Sequence, residues 1–123
     1  MKKYIFIVSL LCLLAACTGK RQGEAAAKVA ALPAVEDVVM YQVNPRVFAP
    51  EKSFKAVERR LDSIQALGIN VVWFMPINEV GQEKSVNSPY CVKDYKGVNP
   101  EFGTLDEFKA LVATCHQKGI NVI

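Results

Sequence analysis

Tyr90, Asp94 and Tyr95 fall within one polar stretch, Ser88–Thr104, and are the residues of this 123-residue chain best suited to meeting a ligand. A phenol ring can lie flat on the apolar face of a pyranose, while a carboxylate or the nearby Asn87 amide hydrogen-bonds its hydroxyls. Either tyrosine can equally pack locally. For Asp94 a hydrogen bond that braces the loop is the simpler role. Lys93 and Lys96 read as solvated. The stretch extends a connection from Pro76 to Gly103, and structureless connections beyond ~12–15 residues are usually functional or disordered.

Other reactive side chains are less well placed. His116 falls near the C-terminus of a predicted helix, where the dipole favours its charged form and a surface or packing role is simplest. Trp73 lies in the middle of a predicted strand and is expected in the core. Four cysteines occur at positions 12, 17, 91 and 115, and no pair has metal-ligand spacing. Export would permit a bridge between Cys91 and Cys115, but two free thiols are the expected state. Neither predicted strand is followed by a Gly-rich phosphate loop, which disfavours nucleotides.

The formal charge of +3 owes much to Lys2 and Lys3; setting these aside leaves 13 of the 15 basic residues against 12 acidic ones. The charges are interspersed, so no nucleic-acid partner is expected. Lys2-Lys3 followed by the apolar run Tyr4–Leu14 reads as a secretory signal, since that run is shorter than a membrane span. Leu14-Ala15-Ala16-Cys17 resembles the lipobox of bacterial lipoproteins, in which the cysteine is lipidated and becomes the mature N-terminus. Residues 1–16 are therefore expected to be a lipoprotein signal peptide. Residues 17–37, polar and Ala-rich, read as a tether. The expected location is outside the cytoplasm, anchored through Cys17 to a bacterial membrane at its periplasmic face or at the cell surface.

Residues 38–123 must position the polar loop. Val38–Val43 reads as a first strand. Phe54, Val57, Leu61, Ile64 and Leu67 recur at spacings of three and four, which predicts one helix, with Ser53 as its cap and Gly68 closing it in a left-handed conformation. Ile69–Met75 is apolar at almost every position, the pattern of a parallel strand covered on both faces. Thr104-Leu105-Asp106-Glu107 is a capping box that opens a second helix, with Leu105, Phe108, Leu111, Val112 and Cys115 along one face. Leu67-Gly68-Ile69-Asn70-Val71-Val72 is echoed by Lys118-Gly119-Ile120-Asn121-Val122-Ile123, so a third strand begins near Ile120. Strand, helix, strand, helix, strand implies an α/β fold with parallel pairing. Ligands of such folds sit in the loops after the strands. A chain ending inside a strand is expected to be a fragment. It is also expected to fold poorly alone, with strand edges and helix faces uncovered.

In order along the chain, Tyr41-Gln42-Val43-Asn44-Pro45-Arg46-Val47-Phe48, Trp73-Phe74-Met75-Pro76, Tyr90 to Tyr95, Asn99-Pro100-Glu101-Phe102-Gly103-Thr104 and His116-Gln117-Lys118-Gly119-Ile120 resemble the α-amylase family of glycoside hydrolases. The loop resembles the family's G-Y-x-x-x-D-Y and (D/N)-P-x-F-G-T patterns. Pro89 stands where glycine is common, and Cys91 where an acidic, aromatic or small polar residue is usual. The resemblance implies a partial (β/α)8 TIM barrel, comprising about the first two β/α units and the start of the third strand. Such barrels typically run to ~250 residues. Tyr90 matches a tyrosine that stacks on substrate; Asp94, Asn99 and Gly103 match loop-structuring positions. The implied substrate is an α-glucan or maltooligosaccharide, cleaved with retention by two carboxylates. Those carboxylates would lie beyond Ile123, so no catalytic residue is assigned and the chain to Ile123 is expected to be inactive. No cofactor is evident, and insertions that hold calcium would also come later. The alternative is a non-catalytic, amylase-like carbohydrate-binding or assembly lipoprotein.

Overall fold

A computed structural model describes residues 31–123. The signal-peptide reading of residues 1–16, the lipid site Cys17 and most of the tether lie outside the described residues. The chain order is β1 (Met40–Val43), α1 (Pro45–Phe48), α2 (Ser53–Glu58), α3 (Leu61–Ala66), β2 (Val71–Phe74), α4 (Leu105–Gln117) and β3 (Asn121–Val122). The strands form one parallel sheet in the order β1-β2-β3, with Met40 beside Val71 and Val71 beside Asn121.

The helices cover one face of this sheet. Val43, Val72 and Phe74 project onto Phe54, Val57, Leu61, Ile64, Leu111 and Cys115 to form the core. Phe54 is its hub: its ring lies 5.0 Å from that of Phe108 and 6.2 Å from that of Phe102. The other face is covered only at its lower end, where Val71 is 6% and Asn121 4% exposed. Met40, Trp73 and Ile123 are exposed on that face, with Trp73 at 40%. The strand is thus buried on both sides at Val71 and Val72, but the expected core tryptophan is corrected, since Trp73 is exposed. Alternation along a strand sends Trp73 away from Val72 and Phe74, onto the face where Met40 and Ile123 are also exposed.

The predicted single helix over Phe54–Leu67 is two segments. At the junction the Arg60 N–H goes to Val57 O, three residues back, at 2.8 Å. The turn tightens without interrupting the buried face of Phe54, Val57, Leu61 and Ile64. Ser53 is not the cap. Lys52 holds that position at φ 50°, and the buried Ser53 hydroxyl donates to Pro45 O at 2.6 Å. The reason is α1, which folds the first loop back over the helix start: Asn44 caps it by accepting from Arg46 N at 3.1 Å. The expected capping box is complete, with Thr104 Oγ1 accepting from Glu107 N and Glu107 Oε2 from Thr104 N. Gly68 and Gly119 close their helices at φ 79° and 74°.

At the start of the strands Asn70 Nδ2 donates to Asp37 O at 2.7 Å, and Asn121 Nδ2 to Ala31 O at 3.3 Å. The segment 31–37, with a 3-10 turn at Val35–Asp37, therefore lies against the sheet bottom, at the end opposite the polar loop.

Cys91 is exposed and Cys115 buried; both are free. Burial, and secondarily the Glu58 carboxylate, push the Cys115 thiol from 9.0 up to about 11. The folded state therefore keeps its proton where the unfolded chain has lost it. This contribution to stability is unaffected below pH 9 and falls between pH 9 and 11, by roughly 2–3 kcal/mol in total. Urea titrations of the whole protein at pH 8.5 and 11 should show a larger loss for wild type than for Cys115→Ala. Equal losses would remove Cys115 from the account. Near pH 8, iodoacetamide should label Cys91 and spare Cys115.

Candidate functional site

The connection from β2 to α4 leaves the C-terminal end of the sheet and doubles back on itself. Val80 and Val92 form an antiparallel bridge, flanked by Gly81 N to Cys91 O at 2.7 Å and Lys93 N to Glu79 O at 2.8 Å. The Glu79–Lys93 ion pair at 2.8 Å is half exposed, so it adds little energy. Asn78 does more. Its single amide donates to Asp94 O at 3.1 Å and Gly97 O at 2.6 Å, tying the outgoing limb to the returning one. Further down, Asn99 N donates to Ile77 O at 2.8 Å.

The residues singled out in the sequence are distributed along this ladder. Tyr90 is 61% exposed, inside the second of two successive turns, closed by Ser88 N donating to Ser85 O and by Cys91 N donating to Ser88 O. Tyr95 is exposed further along, at 81%. Asp94 Oδ1 accepts from Lys96 N at 2.8 Å, closing an Asx turn. Gly97 gives that carboxylate room, since a Cβ there would stand 2.9 Å from Asp94 Oδ2. Asn99 Oδ1 accepts from Glu101 N at 3.0 Å and so turns the chain towards the buried Phe102. Gly103 follows at φ 137°, packed against Phe54 and Glu107. The aromatic groups thus face solvent, and Asp94, Asn99 and Gly103 shape the backbone that carries them.

The tip, Lys84 to Ser88, is unusual. Lys84, Val86 and Asn87 all have left-handed backbones, at φ 53°, 45° and 60°. Asparagine tolerates this; a β-branched valine rarely does. Val86 is also 93% exposed. Arg46, from α1, reaches across and donates from Nη1 to Asn87 O at 2.9 Å. Between the two loops lies a polar cleft of about 720 Å³, lined by Arg46, Glu79, Lys84, Asn87, Asn99 and Glu101 among others. Tyr90, Asp94 and Tyr95 do not line it. A second hollow, about 380 Å³ and largely apolar, lies beside β3 and includes Phe108, Val112 and His116. His116 is therefore separate from the polar cleft.

Asn78 and Arg46 are the residues that sequence reasoning missed. Asn78 follows the strand-ending Pro76 by two positions, and Arg46 is the charged residue nearest the end of β1. Their partners lie 16 to 41 residues away, a separation that no local pattern encodes. Among the described residues no group of three or more His, Cys, Asp and Glu is placed to hold a metal ion. No helix among them is long and apolar enough to cross a membrane.

Residues 51–123 match the family described as alpha amylase, catalytic domain. The chain is 35% identical over 89 residues to the amino acid transporter heavy chain SLC3A1 of Rattus norvegicus, covering 68% of this chain and 13% of that protein. It is 34% identical over 90 residues to maltase 1 of Drosophila virilis, covering 69% and 14%. Among solved structures, a maltogenic α-amylase, AmyB, from Thermotoga neapolitana superposes with a TM-score of 0.67 at 31% identity, over 72% of this chain and 22% of that one. The chain thus spans about one seventh of the length of these two curated relatives. The parallel sheet with its helices on one face is a partial (β/α) barrel of this kind.

Proposed function

We propose, from the premise that this chain belongs to the α-amylase catalytic-domain family, that it supplies the first strand–helix units of a barrel that hydrolyses α-glucosidic bonds in starch- or maltodextrin-type glucans. The observation that carries this reading is Tyr90, an exposed aromatic ring held on a braced loop beyond the C-terminal end of β2. That is where substrates of parallel barrels bind. Tyr90 stacks on a glucose ring, and the ladder through Asn78, Asp94 and Asn99 fixes its approach. Cleavage proceeds with retention, one carboxylate attacking the anomeric carbon while a second carboxylic acid protonates the leaving oxygen. Both groups come from later strands of the same barrel.

The test is hydrolysis of maltose, maltotriose and starch by the whole protein. Tyr90→Ala should lower kcat/KM about tenfold or more, the equivalent of ~1.4 kcal/mol of lost stacking, while Tyr90→Phe stays near wild type. Undiminished activity in Tyr90→Ala would refute the assignment.

A second reading is favoured by one relative, which is named as a transporter heavy chain and not as a glycosidase. It makes the protein a non-catalytic carbohydrate-binding or assembly component. Maltose binding without hydrolysis, in a protein whose later strands lack the acidic residues, would favour it. In either case we place the protein outside the cytoplasm, tethered to a bacterial membrane by lipid on Cys17. Cys17→Ser should release it from the membrane fraction, and retention there would overturn the anchor.

A further inference from the structure

The loop tip, Lys84 to Ser88, carries the most strained backbone of the candidate site. Three non-glycine residues within four positions hold left-handed backbones, which Asn87 tolerates but which strain Lys84 and above all the β-branched Val86. Such a segment persists only where its surroundings over-determine it. Within the tip two bonds resist relaxation, Asn87 N to Ser85 Oγ at 3.3 Å and Ser88 N to Ser85 O at 2.9 Å. Among the described residues, the one hydrogen bond that reaches Lys84–Ser88 from outside the loop is Arg46 Nη1 to Asn87 O, at 2.9 Å. It comes from α1, which is fixed by the Asn44 cap and by the bond from Ser53 to Pro45 O. The charged, planar guanidinium gives the tip a directional anchor.

Tyr90 stands three residues beyond Asn87. Its own N–H donates to Ser88 Oγ at 3.3 Å, and Cys91 N donates to Ser88 O at 3.1 Å. The chain Arg46, Asn87, Ser88, Tyr90 is therefore continuous. We infer that Arg46 is a positioning residue: by holding Asn87 O it sets the strained tip and, through the Ser88 turn, the ring of Tyr90. This rests on the reading above that Tyr90 meets sugar. The cleft between the loops is the space that Arg46 spans.

The experiment compares wild type, Arg46→Ala, Arg46→Lys and Tyr90→Ala in the whole protein, with maltose as the probe. Two readouts are taken: KM and kcat, and amide hydrogen exchange at Ser88 and Cys91. Arg46→Ala should raise KM about three- to tenfold with a smaller change in kcat, and exchange at the two amides should quicken by a similar factor. Arg46→Lys, which keeps a charged donor, should recover part of both. Unchanged exchange in Arg46→Ala overturns the inference whatever the kinetics do. So does unchanged KM in Arg46→Ala when Tyr90→Ala weakens maltose. If Tyr90→Ala itself leaves maltose kinetics unchanged, the reading of Tyr90 fails instead, and the exchange data still decide whether Arg46 holds the tip.

Discussion

Gly103→Ala is expected to destabilise the whole protein by about 3 kcal/mol. The backbone at Gly103 has φ 137°, a region in which a side chain costs of order 1–3 kcal/mol. The added Cβ would also stand 2.7 Å from Glu107 Oε2 and 2.9 Å from Phe54 Cδ2. The carboxylate can swing away, but it is the reciprocal half of the capping box, accepting from Thr104 N at 2.8 Å, and a lost cap costs ~1 kcal/mol. The Phe54 ring has no such freedom, because it is buried between Phe102 and Phe108. Urea midpoints measure the loss. In a Glu107→Ala background the same substitution should cost about 1 kcal/mol less, since that contact is already gone. A loss well under 1 kcal/mol in the parent would show that the helix start relaxes at little cost.

Phe54→Ala should cost still more, about 3–5 kcal/mol, the usual range for deleting a buried aromatic ring. Phe54 lies where α2, α4 and the end of the long loop meet: its ring touches Phe108 and Phe102, and its N–H donates to Phe102 O at 3.0 Å. The resulting cavity would border the segment that enters α4. Hydrogen exchange should therefore quicken at Asn99–Thr104 as well as within α2. Phe54→Leu, which keeps most of the volume, should retain more than half of the lost stability. A uniform rise in exchange across the domain, with no excess at Asn99–Thr104, would mean that Phe54 supports the core without specially holding the loop. Phe54 and Gly103 are in contact, so the double variant should fall short of the sum of the singles.

For the fold, much was legible because the deciding interactions are local. Spacings of three and four put Phe54, Val57, Leu61 and Ile64 on one face whatever lies opposite. Thr104 and Glu107 meet because one helical turn separates them. Gly68 and Gly119 occupy left-handed caps for the same reason in two copies of one motif. The resemblance in the loop pointed to Tyr90, Asp94, Asn99 and Gly103, and the family match over residues 51–123 identifies the architecture.

Other features needed the packed chain. Ser53 stands at a helix start and has a capping side chain, yet α1 brings Pro45 O within reach and the hydroxyl donates instead. Trp73 sits in an apolar run, but the helices cover only the face that holds Val72 and Phe74. Asn78 and Arg46 are ordinary polar residues until the loop doubles back and delivers Asp94 O, Gly97 O and Asn87 O to them. The residue types and spacings of this protein determined its helical faces, the Thr104 and glycine caps and the parallel order, because each depends on neighbours within about one turn or on strand–helix alternation. Tertiary structure alone decided which sheet face is covered and which side chains brace the loop, because those depend on closing the chain over tens of residues, a geometry that no local spacing specifies.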